Sequence, residues 1–228
     1  MEFGTGFVTR DYRLFFHHMR YSEILEKIQH YVEAFFSAKE DVTLTFHNFT
    51  HTKDVVTHAV KMAGHYGLDE RETFVVTTAS WFHDTGYYTG EPSGHEQRGA
   101  EMAANFLKNL KVDEELIIEV HHCIMATVMP QKPENLLQQI MCDADLYHFG
   151  TEQFSARDML MHEEVERKTG CKIDSSHWRK ATICLLESHF FKTDYGQKLL
   201  EYGKKKNLER LKRKESRGRV TVSHQTNS

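Results

Sequence analysis

Only three prolines interrupt the chain, Pro92, Pro130 and Pro133, and each lies in a short polar stretch that reads as a connection. Between them apolar residues recur at helical spacing, and nowhere do they alternate with period two between hairpin-turn signals. That pattern predicts an all-α globule whose helices each bury one stripe in a shared core. At 228 residues the chain fits one such domain. Val55, Val56, Ala59, Val60 and Ala63 mark one helix, with Asn48 as its N-cap. Another is expected over 72–83 with Gly86 just past its end, and a third behind the capping-box spacing at 93–96. Asp113 starts a fourth, and further helices are expected over 135–149, 152–168, 176–190 and 195–214.

The net charge of −4 conceals an asymmetry. Between Lys204 and Arg219 nine Lys/Arg face two Glu, a local +7, which leaves −11 on the rest of the chain. A body that acidic argues against nucleic acid wrapped around it, and the basic run reads as a solvated final helix. Cys123, Cys142, Cys171 and Cys184 form no C-x-x-C pair, as expected of free thiols in a reducing cytosol. No apolar stretch of signal-peptide type follows Met1, and the longest uncharged run, 73–82, is too short to cross a bilayer. The expectation is a soluble, cytoplasmic protein without a membrane span.

Sixteen histidines are the unusual count. His47 and His51 flank the Asn48 cap in "HNFTH"; His83 and Asp84 end the next helix in "SWFHDTGY". His95 lies in the first turn of the third helix, His121 and His122 in "EVHHCIMAT", and Asp143 and Asp145 in "CDADLYHFG". Five consecutive helices thus each bring His or Asp to a helix end or an inward position, which packing does not require. Imidazole with carboxylate and no thiolate suits Mn, Ni, Co, Mg, Zn or Fe. His17, His18, His30, His58 and His65 read as surface or packing groups, and Trp81 and Trp178 as core. Lys53 and Arg98 stand near the ligand turns, where contact with phosphate and a solvated face are equally expected. Tyr87 and Tyr88 are candidates for a pocket wall.

The ordered set His51, His83-Asp84 and Asp145 resembles the H…HD…D signature of the HD-domain metal-dependent phosphohydrolases, over about residues 46–150. The resemblance implies that these four residues are the metal ligands and that residues 21–215 form the HD domain. Residues 1–20 are then an N-terminal extension, and 216–228 are expected to be a disordered tail. "HNFTH" is also similar to the H-N-x-x-H of class I cyclic-nucleotide phosphodiesterases, which implies a general acid at His47 beside the ligand His51. His95, His121 and His122 resemble the extra histidines of binuclear HD enzymes, including the HD-GYP hydrolases, with His122 slightly favoured over His121. Asp143 is expected to orient a ligand or to be a polar core group. The chain departs from HD-GYP proteins in having no G-Y-P and no lysine shortly after the HD pair, and it is shorter than a full phosphodiesterase domain.

These likenesses imply hydrolysis of a phosphomono- or phosphodiester of a nucleotide-like small molecule by metal-activated water, with one or two divalent ions per chain. Asp84 is the residue that would bridge two of them, and two is the expectation. Other readings stay open: a di-iron oxygenase of the same fold, as in myo-inositol oxygenase, a non-catalytic nucleotide-sensing module, or a piece of a larger signalling protein. Oligomeric state and substrate identity are open as well.

Overall fold

The computed structural model describes residues 8–225, with side chains described over 21–217. Ten α-helices follow one another: α1 Val8–Ala38, α2 Phe49–Tyr66, α3 Glu70–Phe82, α4 His95–Asn109, α5 Glu114–Met125, α6 Leu136–Asp145, α7 Phe154–Thr169, α8 Ser175–Ser188, α9 Asp194–Leu199 and α10 Glu201–Gln225. Two 3-10 turns, Thr85–Tyr88 and Tyr147–Gly150, follow α3 and α6. There is no strand among the described residues, so the all-α expectation holds. The boundaries expected at 20/21 and 215/216 fall inside α1 and α10. Residues 1–7 and 226–228 lie outside the described residues, as do the side chains of His17 and His18.

α3 is the axis of the fold. Its nine residues from Phe74 to Phe82 are all buried, since α1, α2, α4, α5 and α6 pack around it. A helix enclosed on every side needs no amphipathic stripe. The spacing of Val75, Val76, Ala79 and Phe82 therefore captured only part of what is inside. Asp69 opens α3 with a capping box to Glu72, one turn's chemistry earlier than the expected start. The enclosed helix delivers its C-terminal residues to the middle of the molecule.

Two expected helix signals have another use. Gly86 does not end α3; it lies in the 3-10 turn, where a Cβ would stand 2.0 Å from the carbonyl oxygen of His95. Its missing side chain lets α4 approach the HD turn. α4 begins after Gly94, which takes the left-handed region at φ 73° without a side-chain cap, so the spacing at 93–96 makes no capping box. The helix expected over 195–214 is two helices, α9 and α10, breaking at Leu200. Gly203 touches Gly150 so closely that a Cβ would sit 1.9 Å from its oxygen. Asn207 fastens the same contact by donating to the carbonyls of Phe149 and Thr151 at 3.0 and 2.9 Å. The last helix thereby pins the turn that follows Asp145.

Candidate metal centre

Asn48 builds the first part of the centre. Its Oδ1 accepts from the N–H groups of Thr50 and His51 at 3.0 and 3.1 Å, and its amide donates to Thr45 O at 2.7 Å. The cap fixes His51 in the first turn of α2, facing inward. His83 follows the last residue of α3, and its Nδ1–H donates to Ser80 O at 2.8 Å. That bond leaves Nε2 as the lone-pair nitrogen on the side away from the helix. Asp84 comes next, and Asp145 is the last residue of α6.

These four residues, drawn from three helix ends, converge so that one donor atom of each lies within 4.8 Å of all the others. His51 Nε2 stands 3.2 Å from Asp84 Oδ2 and 3.3 Å from Asp145 Oδ1, and His83 Nε2 stands 3.0 and 3.6 Å from the same two oxygens. His51 is 3% exposed, His83 1% and Asp84 3%. Nevertheless His51 Nε2, His83 Nε2 and Asp84 Oδ2 have no hydrogen-bond partner. Three orphaned polar atoms at one buried point is an arrangement folding penalises by about 1–3 kcal/mol each unless something satisfies them. Two imidazole nitrogens and two carboxylate oxygens at this spacing match adjacent ligands of one ion bound at about 2.0–2.2 Å. The donor set fits a divalent cation.

The electrostatics point the same way. Burial opposes a charge on His51 and on His83, but Asp84 and Asp145 outweigh it and raise both imidazoles above their ordinary range. Burial likewise works against the two carboxylates, and the facing histidines hold both below their usual values. The carboxylates remain anionic, and positive charge is favoured at their midst.

His47 sits beside this group in an environment the sequence did not reveal. Its Nδ1 is bonded to Glu164 Oε1, while Glu164 Oε2 accepts from the N–H groups of Phe46 and His47 at 2.7 and 2.9 Å. Glu164 comes from α7 and is 3% exposed. Burial pushes its carboxyl up, but the His47 ring and the two backbone donors overcome that and leave it below the ordinary value. Tyr87 stacks on the His47 ring with centroids 3.9 Å apart and on the His95 ring at 3.9 Å. His95 Nε2 in turn lies 3.5 Å from Asp84 Oδ1, the oxygen turned away from His51 and His83.

Other expected site residues are placed elsewhere. α5 turns Leu116, Ile117, Val120, Cys123 and Ile124 inward, and at about 100° per residue His121 and His122 fall on its outer shoulder. His122 is exposed, and the charges acting on half-buried His121 are those of His122 and Glu101. The fold thus does not bring this pair to the centre, contrary to the lean toward His122. Asp143 points away from the quartet and accepts from Lys192 N, Thr193 N and Thr193 Oγ1 at 2.7, 2.8 and 2.6 Å, fastening the segment before α9. It is a structural core group. Arg98 clamps the loop after the HD pair through the carbonyls of Gly86, Ser93 and Glu91, and Lys53 lies over the Phe49 ring. Trp81 is core, beside Phe49, and Tyr88 packs on Phe35 and Phe36. His148, unassigned in the sequence, borders the centre, where burial and the neighbouring His51 push its pKa down to about 3.

A cleft of about 330 Å³ opens from the centre. Its polar end holds His47, Asp84, His95 and Asp145; its other end is made by α7 and α8, with Met161, Trp178 and Leu185. Trp178, expected in the core, is a wall of this cleft. No helix among the described residues is long and apolar enough to cross a membrane.

Residues 48–150 match the family model of the HD domain. Among solved structures, the chain is similar to a predicted HD superfamily hydrolase from an uncultured Thermotogales bacterium, with a TM-score of 0.55 and 22% identity. The likeness covers 84% of this chain and 89% of the other, and at that identity it speaks to the fold. No curated protein matches the chain.

Proposed function

From the match of residues 48–150 to the HD domain we propose that the protein is a metal-dependent phosphohydrolase acting on a phosphomono- or phosphodiester of a nucleotide-like molecule. The observation that carries this reading is the buried quartet His51, His83, Asp84 and Asp145, with three orphaned atoms, opening on a cleft next to His47. These four residues would hold the ion. A divalent cation bound there supplies neutralisation of phosphoryl oxygens and a water acidic enough to attack at neutral pH.

The chain's own residues do the rest. His47 holds a proton for the leaving oxygen at the ring nitrogen that Glu164 does not occupy. Glu164 fixes the ring's tautomer and orientation through Nδ1, the role a carboxylate commonly plays behind an acid–base histidine. Tyr87 limits the tilt of that ring by stacking. His95 faces the outer oxygen of Asp84 at 3.5 Å, which supports it, of the three extra histidines, as the one that would help hold a second ion.

The test is turnover of a panel of nucleoside monophosphates, cyclic nucleotides and cyclic dinucleotides by protein stripped of metal and reloaded separately with Mn, Ni, Co, Mg, Zn or Fe. The expected result is hydrolysis of at least one ester that chelator abolishes and metal restores. Absence of turnover under every metal, with oxygen consumption by the iron form, would replace hydrolysis with oxidative chemistry.

A further inference from the structure

The cleft's chemistry changes along its length. At the metal end the lining is ionisable; the wall supplied by α7 and α8 carries Phe154, Met161, Trp178 and Leu185 beside Arg157, Asp158 and Thr182. Among the lining residues Arg157 is the one lysine or arginine, and its guanidinium is bonded to Asp54. The remaining charges beyond the four ligands are carboxylates, Glu96 and Asp158. Recognition of a β- or γ-phosphate draws on lysine or arginine donors, and among the described residues this cleft has none uncommitted. Asp158 would repel a second anionic group.

The far wall is also rigid and flat. Trp178 stacks on His162 with centroids 4.7 Å apart and planes 12° apart, and its Nε1 donates to Asp158 Oδ1 at 3.0 Å. Thr182 Oγ1 donates to the same oxygen at 3.0 Å. An indole held by a ring on one face and a carboxylate at its edge keeps one orientation, so the wall favours a planar group over a flexible chain. A volume of about 330 Å³ is roughly twice that of a cavity that holds benzene. We infer that the substrate carries a single phosphate group, bound at the metal end, on an uncharged ring-bearing alcohol whose ring lies against Trp178, Met161 and Leu185. Nucleoside di- and triphosphates are disfavoured.

This inference rests on the phosphohydrolase reading, so its test separates the two. Non-hydrolysable phosphonates remove leaving-group effects: 1-naphthylmethylphosphonate and methylphosphonate are titrated calorimetrically into the metal-loaded full chain. The naphthyl compound should bind at least roughly tenfold more tightly, the discrimination an apolar pocket gives for a few carbons. Leu185→Asp, at a partly exposed position, and Trp178→Ala should each bring the ratio below about threefold, with folding checked by circular dichroism. In turnover, AMP should be preferred to ADP and ATP by at least about tenfold. Equal affinity for the two phosphonates, a ratio unmoved in the folded Leu185→Asp protein, or preference for ATP would overturn the inference while leaving hydrolysis standing. If no ester is hydrolysed, the phosphohydrolase reading fails alone, and the phosphonate ratio still decides what the far wall binds.

Discussion

The buried histidines at the ends of α2 and α3 and the buried histidine after α8 live under opposite electrostatics. His51 and His83 face two carboxylates, and their affinity for positive charge is raised. His189 packs edge-on against Phe149 and Phe191 with neither ring nitrogen partnered. Burial and then the charges of Lys204 and Lys192 push its pKa down to about 3. One region is organised to receive a cation; in the other, Lys204 already carries the positive charge and His189 is held neutral. The N-terminal helices concentrate uncompensated polar atoms at a single point, while the C-terminal helices supply the fastening: Glu164 on His47, Asn207 on the turn after Asp145, and the segment anchored by Asp143. Chemistry belongs to the first region and its alignment to the second, and substitutions should divide along that line.

The largest effects are expected at the ligands themselves. His83→Ala or Asp84→Ala should remove bound metal and lower turnover by roughly 10³-fold or more, in a protein that still folds but gains no thermal stability from added metal. His95→Ala should lose at most one ion and keep the rest, and His122→Ala should keep all of them. Metal content measured by elemental analysis on each variant checks this. Full metal in His83→Ala, or loss on changing His122, would erase the division between the converging donors and the shoulder of α5.

Smaller effects, with metal retained, are expected at His47 and at the residue that fastens it. His47→Ala should reduce turnover of an ester with a basic leaving group by about 10²–10⁴-fold. A nitrophenyl ester, which needs little protonation, should be affected much less. Glu164→Gln should follow the same pattern at roughly 10–100-fold, in kcat more than in KM, because the ring loses its orienting charge. Equal loss on both esters would mean that Glu164 supports the fold and not the proton transfer; loss of metal would place His47 among the ligands.

The same division explains what could be read in advance. Each of the four candidate ligands sits where a local signal marks it: His51 behind the Asn48 cap, His83 and Asp84 at the end of an uncharged helix, Asp145 at the end of "DAD". Glu164 has no such signal. It lies 117 positions from His47 in a helix that also carries Glu163 and Glu166, and only the packing of α7 chooses among them. His121 and His122 misled for the converse reason, since adjacency is visible in sequence but helical phase decides which way a side chain faces. The break at Leu200 has no local signal either, since Gly150 meets Leu200 and Gly203 across about fifty residues.

The smallest expected effect sharpens the electrostatic contrast directly. A histidine whose folded pKa is about 3 and whose unfolded pKa is about 6.5 takes its proton first in the unfolded chain. Between those values the unfolded state therefore binds the extra proton, and stability falls as pH falls, by at most about 1.4 kcal/mol per pH unit for one group. Above about 6.5 both states are neutral and the contribution is flat. His189→Leu replaces an unpartnered ring by a side chain of similar volume, so at pH 7.5 the variant should be as stable as the wild type or slightly more so. Between pH 6.5 and 4 the wild type should fall progressively behind it. Urea midpoints of both proteins, stripped of metal and measured across that range, give the difference, in which the carboxylate–histidine centre common to both cancels. Parallel curves would show that His189 does not stay neutral in the fold. The contrast between a centre that draws positive charge onto its histidines and a C-terminal core that keeps His189 neutral would then be lost.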